Sequence, residues 1–156
     1  MEEAVACAIS QVEELILLGA VPAFNIADYT LSRARLFCPE DAPYSAGRWS
    51  IAFQCTDDSN HDFQVVLDSL DGRVFSLTVP YSGSAPLPNR LEMLLAFGRY
   101  HGLLDLEMDM QYRNISELQS ELTIDPLTLQ GQFVRNENGT DIFRYSTGIY
   151  LKNFPE

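Results

Sequence analysis

The chain has 156 residues, 46% hydrophobic and 21% charged, and twenty-two acidic against ten basic residues give a net charge of −12. That length suits a single domain, residues 1–156, burying roughly 70% of its unfolded surface, and no run reaches the ~18 apolar residues of a helical membrane span. The acid excess argues against nucleic acid as a partner, because phosphate contacts need a basic footprint, and favours a basic protein, whose encounter it would speed.

Residues 2–18 form the first predicted element. Val5, Ala8, Ile9, Val12, Leu15 and Ile16 recur at i, i+3 and i+4, as the apolar stripe of a packed helix does. Glu2 and Glu3 suit the positive end of the helix dipole, Gly19 fits the residue just past a helix end, and Pro22 prevents continuation. The segment 24–37 fits two patterns. Asp28 can cap a short helix through Arg35, while Tyr29, Leu31 and Phe37 alternate as in a strand; we read a short helix. The run from Cys38 to Gly47 is a loop by composition.

Three antiparallel strands are expected between Arg48 and Tyr81. Phe63, Val65 and Leu67 share one strand face, and Phe75, Leu77 and Val79 share another. A two-residue Asp71-Gly72 turn would send these rows to opposite sides of the sheet. A three-residue loop, Leu70-Asp71-Gly72, keeps them together, with Leu67 opposite Phe75, Val65 opposite Leu77 and Phe63 opposite Val79. It requires Gly72 at positive φ. Trp49, Ile51, Phe53 and Cys55 have the spacing to join the same face.

After a connector from Ser82 to Pro88, Asn89-Arg-Leu-Glu92 reads as an N-cap with Glu three residues on, starting a helix that runs to about Tyr100. Gly102 stops it, and His101 sits where a cation would favour the C-terminal dipole. Residues 103–111 alternate without a break: Leu104, Leu106, Met108 and Met110 on one face, Asp105, Glu107 and Asp109 on the other. Ser116 and Gln119 read as the cap of a short helix ended by Pro126. A last hairpin, 127–136 with 141–151, turns at Glu137-Asn138-Gly139. Parity sets Phe133 opposite Phe143 and Gly131 opposite Tyr145, whose ring can cover the bare glycine. The fold class is therefore α+β, with helices packed on a curved, mainly antiparallel sheet in the order α(α)βββαβαββ. The one repeat is the pair of similar x-Asp-Gly and x-Asn-Gly hairpin loops.

Reaction chemistry is not evident in the motifs. There is no G-x-S-x-G, no G-x-G-x-x-G and no phosphate-binding lysine loop, Lys152 being the sole lysine. Cys7, Cys38 and Cys55 lack CxxC spacing and read as buried reduced thiols rather than a disulfide framework or zinc site. Asp105, Glu107 and Asp109 recur at roughly 7 Å along a strand. Such a row can face water, dock a basic partner or hold a hard cation, and a solvated face is its commonest meaning. The loop from Asp57 to Asp62 offers oxygen ligands but lacks the glycine and glutamate of an EF-hand. As functional residues, Asp105, Glu107, Asp109, Asp57, Asp58 and Asp62 are read as partner-binding carboxylates, with no catalytic residue, metal or cofactor expected. The acidic N-terminus lacks a signal-peptide n-region, so the expected compartment is the cytoplasm.

The leading helix, then Trp49-x-Ile-x-Phe, then Phe63-x-Val-x-Leu-Asp-x-x-Asp-Gly-Arg-Val74, resembles the helix-plus-curved-sheet units of cystatin-like and NTF2-like domains, over roughly residues 1–81. Some such domains are bacterial toxin immunity proteins. The resemblance, with the acidity, implies a non-enzymatic inhibitor that covers a basic toxin or effector. The alternatives are a small-molecule binding domain or enzyme with a cavity between sheet and helices, and a nucleic-acid mimic.

Overall fold

The computed structural model describes residues 1–38, 47–56, 62–81, 87–103, 109–124, 126–136 and 141–151. Helix α1 (Glu2–Leu17) forms on the predicted stripe, with Ala8, Val12 and Leu15 fully buried. Its end is closed by two backbone bonds, Gly19 N–H to Ile16 O at 3.1 Å and Ala20 N–H to Leu15 O at 2.9 Å, with Gly19 at φ 76°. This is the Schellman arrangement that a glycine after the helix end permits.

The helix expected within 24–37 is replaced by a single 3-10 turn, Ile26–Asp28, and strand β1 (Tyr29–Phe37). Asn25, not Asp28, supplies the cap, accepting from Ala27 N–H at 3.3 Å. Beyond that turn, pairing with β2 (Arg48–Cys55) outweighs local helix preference, and Tyr29, Leu31 and Ala34 take strand positions opposite Cys55, Phe53 and Ile51. The remaining elements are β3 (Asp62–Asp68), β4 (Val74–Pro80), α2 (Arg90–Tyr100), β5 (Met110–Asn114), β6 (Gln119–Ile124), β7 (Leu127–Arg135) and β8 (Ile142–Leu151). Among the described residues, eight strands join one antiparallel sheet in the order β1-β2-β3-β4-β8-β7-β6-β5.

This order is a duplicated unit. A helix and a four-strand meander, α1 with β1–β4, is followed by a second, α2 with β5–β8, and the two meet where their last strands, β4 and β8, pair. The hairpins β3–β4 and β7–β8 correspond residue by residue. Leu67 opposes Val74 and Arg135 opposes Ile142, and one residue is bulged out immediately after in each, Phe75 and Phe143. Leu77 thus corresponds to Tyr145, Thr78 to Ser146 and Val79 to Thr147. Across the seam, Leu77 opposes Thr147, Val79 opposes Tyr145, and Thr78 opposes Ser146 with hydroxyls 3.0 Å apart. A pseudo-twofold axis therefore runs through the Thr78–Ser146 pair. The two x-Asp/Asn-Gly loops seen in the sequence join corresponding strands of the two units.

The bulges correct both predicted registers. In β3–β4, Val65 opposes Leu77 and Gly72 has φ 70°, as expected, but Leu67 opposes Val74 rather than Phe75. The Asp68 and Asp71 carboxylates accept from Leu70 N–H at 2.8 Å and Arg73 N–H at 2.9 Å, organising a wider loop closed by Asp68 N–H to Arg73 O. Val74 then takes the buried place, and Phe75 lies under the Arg48 guanidinium, 3.6 Å from its ring centroid. In β7–β8 the pairing is offset by two residues: Phe133 opposes Tyr145 and Gly131 opposes Thr147. A shift of two preserves the face, so the Tyr145 ring still covers Gly131, and an added Cβ there would lie 3.2 Å from its Cζ.

Two further elements differ from expectation. Of the strand expected over 103–111, residues 104–108 lie outside the described residues, Leu103 is in the turn after α2, Asp109 lies just before β5, and Met110 and Gln111 open β5. The short helix expected after Ser116 is strand β6, whose Ser120, Leu122 and Ile124 alternate into the core. Ser116 Oγ accepts from Leu118 and Gln119 N–H, each at 3.2 Å, so the cap chemistry closes a strand turn instead.

Both helices pack on the same sheet face, and fully buried Leu15, Phe63, Leu94, Phe97, Phe133 and Tyr145 fill the layer between. Tyr100 ties the units together: its hydroxyl accepts from Val74 N–H at 2.8 Å and donates to Gln11 Oε1 on α1. Arg73 donates to Tyr100 O at 2.6 Å, satisfying a carbonyl at the end of α2. The three cysteines are free, but Cys38 is exposed rather than buried, and Cys7 and Cys55 are half-buried.

Candidate functional site

Of the carboxylates singled out in the sequence, Asp57, Asp58, Asp105 and Glu107 lie outside the described residues. Asp109 is exposed immediately before β5. Asp62 opens β3, and its Oδ1 is 2.7 Å from Arg144 Nη2 on β8 while its Oδ2 accepts from Gln64 at 3.4 Å. That carboxylate is engaged within the fold. β3 and β5 are separated in the sheet by β4, β8, β7 and β6, so Asp62 and Asp109 do not share a site.

A buried polar group in the second unit is structural. Ser120, fully buried on β6, accepts from Arg90 Nε at 2.7 Å and donates to Asn114 Oδ1 at 2.8 Å, and Tyr112 donates to the same Asn114 oxygen at 2.7 Å. These partners satisfy one another and pin the start of α2 to the sheet. His101, the C-cap of α2, is half-buried against Phe97 and Tyr100, with ring centroids 4.8 and 4.7 Å away. Burial, outweighing the Val74 backbone, lowers its pKa to about 4. It is neutral at pH 7 and is not the dipole-matching cation expected from its position.

The open site lies where the α1–β1 connection meets the end of β4. A cleft of about 470 Å³ is lined by Phe24, Tyr29 and Tyr81, by Pro22, Pro80 and Pro88, and by the polar Asn25, Asp28 and Cys55. Across Phe24 and Asn25 it adjoins a groove of about 410 Å³ formed by Glu13, Ile16, Leu17, Ile26 and Ala27. The chain reaches this place by local necessity. The Schellman end turns it off α1, Pro22 stiffens the exit, and Asn25 caps the 3-10 turn. Thr56 then holds Asp28 O with its N–H at 2.9 Å and its hydroxyl at 3.2 Å, fixing the connection to the end of β2. Phe24 packs on Phe63 at 5.0 Å, and Tyr81 packs on Phe133 at 5.0 Å and bonds Phe143 O at 2.8 Å through its N–H. The walls are thus anchored in the core.

Two features make this surface unusual. Leu17, 88% exposed, lines the groove, while its neighbour Leu18, 46% exposed, faces a separate hollow beside Glu92, Leu95 and Arg99 of α2. Among the described residues, the charged groups lining the two clefts are the carboxylates Glu13 and Asp28, with no base. Helix α1 itself exposes Glu2, Glu3, Glu13 and Glu14 and carries no basic residue. Among the described residues no group of three or more His, Cys, Asp or Glu side chains is placed to hold a metal, and no helix is long and apolar enough to cross a membrane.

No family model, curated protein or solved structure matches this chain.

Sequence reasoning passed over Leu17, Phe24, Asp28 and Tyr81 as site residues. Leu17 and Leu18 lie off the apolar stripe of α1, which was a usable signal. That Pro22, Pro80 and Pro88 converge with three aromatic rings depends on strand order, which no local pattern carries.

Proposed function

We propose that the chain is a non-enzymatic protein-binding domain that docks a basic partner, as an immunity protein neutralising a toxin or effector would. The observation that supports this reading is the pair of adjoining clefts beside α1, lined by apolar and aromatic side chains and, among the described residues, charged only by Glu13 and Asp28. Interfaces place aromatic and apolar anchors at the centre and charges at the rim, and a net charge of −12 steers a basic partner toward them. The carboxylates Asp57, Asp58, Asp105, Glu107 and Asp109 would add to that long-range attraction.

The test is capture from the source cell at low and high salt, with Leu17→Lys alongside. A basic protein retained at low salt, released by salt and lost with Leu17→Lys is the expected outcome. Retention of the same proteins by both forms would reject the surface.

A small-molecule ligand is the second reading, favoured by a cleft volume within the ~300–1,000 Å³ of ligand sites. Such a ligand would sit at the end of the sheet, since the layer between sheet and helices is filled by side chains such as Phe63 and Phe97.

A further inference from the structure

Resting on that reading, we propose that the Phe24–Tyr29–Tyr81 cleft receives an arginine side chain of the partner, while the adjoining Ile16–Leu17–Ile26 groove takes an apolar side chain beside it. The chemistry of the lining selects the guanidinium. Among the described residues, Asp28 is the one charged group lining the cleft; it is exposed and forms no ion pair with any of them. Its place is fixed because Thr56 holds its backbone carbonyl with two hydrogen bonds, leaving the carboxylate available.

Three aromatic residues line the same space, and a planar, weakly hydrated guanidinium stacks on ring faces while pairing with a carboxylate. A lysine ammonium offers a point charge without the planar face, and an anion would meet Asp28 with no compensating base among the described lining residues. Among the described residues, the groove across Phe24 has no charge except Glu13, and Leu17 is already exposed there. An arginine next to an apolar residue therefore matches both compartments at once.

The experiment is an NMR titration of the full chain with N-acetyl-arginine amide and with N-acetyl-citrulline amide, which has nearly the same shape without the charge. Saturable shifts at Phe24, Asp28 and Tyr81 are expected, with a Kd on the order of 10 mM and citrulline about tenfold weaker, a 1.4 kcal/mol difference. Asp28→Asn should bring arginine down to the citrulline level; this side chain is exposed, and an unchanged melting temperature would confirm that the variant folds. Equal binding of the two amides, shifts confined to other residues, no saturable shift, or an Asp28→Asn variant that still prefers arginine would each overturn the proposal. The outcome is separable from that of the function it rests on. Salt-sensitive, Leu17-dependent capture of a basic protein without arginine binding would remove this anchor and leave the docking surface. Arginine binding without such capture would do the reverse.

Discussion

In the first unit Leu17 and Leu18 precede a glycine at φ 76°; in the second, Tyr100 and His101 precede a glycine at φ 71°. The closure is the same. Gly102 N–H bonds Arg99 O and Leu103 N–H bonds Gly98 O, both at 2.9 Å, as Gly19 and Ala20 do one unit earlier. What the two helix ends present is opposite. Tyr100 is 8% exposed and bonded to both α1 and β4, whereas Leu17 is 88% exposed and touches a groove. One backbone device therefore serves cohesion in the second unit and leaves an apolar surface in the first. The exposed leucines are not imposed by the helix end, since its counterpart is sealed with a hydrogen-bonded ring.

The interiors of the two hairpins show a second exchange. Phe63 and Leu77 on β3 and β4 correspond to Gly131 and Tyr145 on β7 and β8: a large ring has moved from one strand to its neighbour, and its old place is empty of side chain. The largest predicted effect tests this. Gly131→Ala would drive a Cβ against the fully buried Tyr145 hydroxyl and ring and to 3.3 Å from Leu94 Cδ2, a clash expected to cost about 3 kcal/mol in urea unfolding. Adding Tyr145→Leu, which installs the side chain the first unit uses at Leu77, should recover about half of that despite its own lost burial. Strictly additive losses would show that the ring and the glycine are not exchanging the same space.

The positive-φ glycines sharpen the comparison further. Gly72 and Gly102 have nearly equal φ, 70° and 71°, but a Cβ on Gly72 would lie 2.9 Å from Cys7 Sγ, while one on Gly102 meets nothing within 4 Å. Gly102→Ala should cost about 1 kcal/mol, the backbone penalty of a left-handed residue alone. Gly72→Ala should cost about 2 kcal/mol, the excess being contact with α1. Combining Gly72→Ala with Cys7→Ala should bring the added loss back near the Gly102 value. If it does not, the sulfur is not the obstacle.

These contrasts also show which parts of the fold the sequence carried. Apolar alternation revealed that Phe63, Val65, Leu67, Leu77 and Val79 share a face, with Val74 rather than Phe75 completing it, and Gly72 has the positive φ expected of it. The bulges at Phe75 and Phe143 were not legible, because they depend on the wider turns that the loops form. Asn25 and Ser116 supply the same hydrogen bonds whether a helix or a strand follows, so segments 24–37 and 116–124 could be read either way until their sheet partners were known. The duplication is nearly invisible because the corresponding core residues, Phe63 and Gly131 or Leu77 and Tyr145, are unlike. The cleft was least legible of all, since it is assembled from three separated segments.

The sealed helix end carries a titratable group. His101 has its pKa lowered from 6.5 to about 4, chiefly by burial, with Arg73 also acting to lower it and the Val74 backbone and Asp71 opposing. The folded protein therefore prefers the neutral imidazole. Its contribution to stability is fully present above pH 6.5, declines as pH falls toward 4, and is lost below that, because the unfolded chain binds the proton first. Carboxylates titrate in part of the same window, so the informative quantity is the difference from His101→Leu, which packs on Phe97 and Tyr100 without titrating. At pH 7 the two proteins should unfold at similar urea concentrations. At pH 4.5 the variant should be the more stable by on the order of 1 kcal/mol, a figure reduced from the full shift to allow for the ring's partial exposure. The first unit, whose helix ends in leucines, has no such group at that place, so Leu18→Ala should leave the pH profile unchanged. A gap between wild type and His101→Leu that is the same at both pH values would mean that the ring is hydrated when protonated, and that the second helix end is less sealed than its packing indicates.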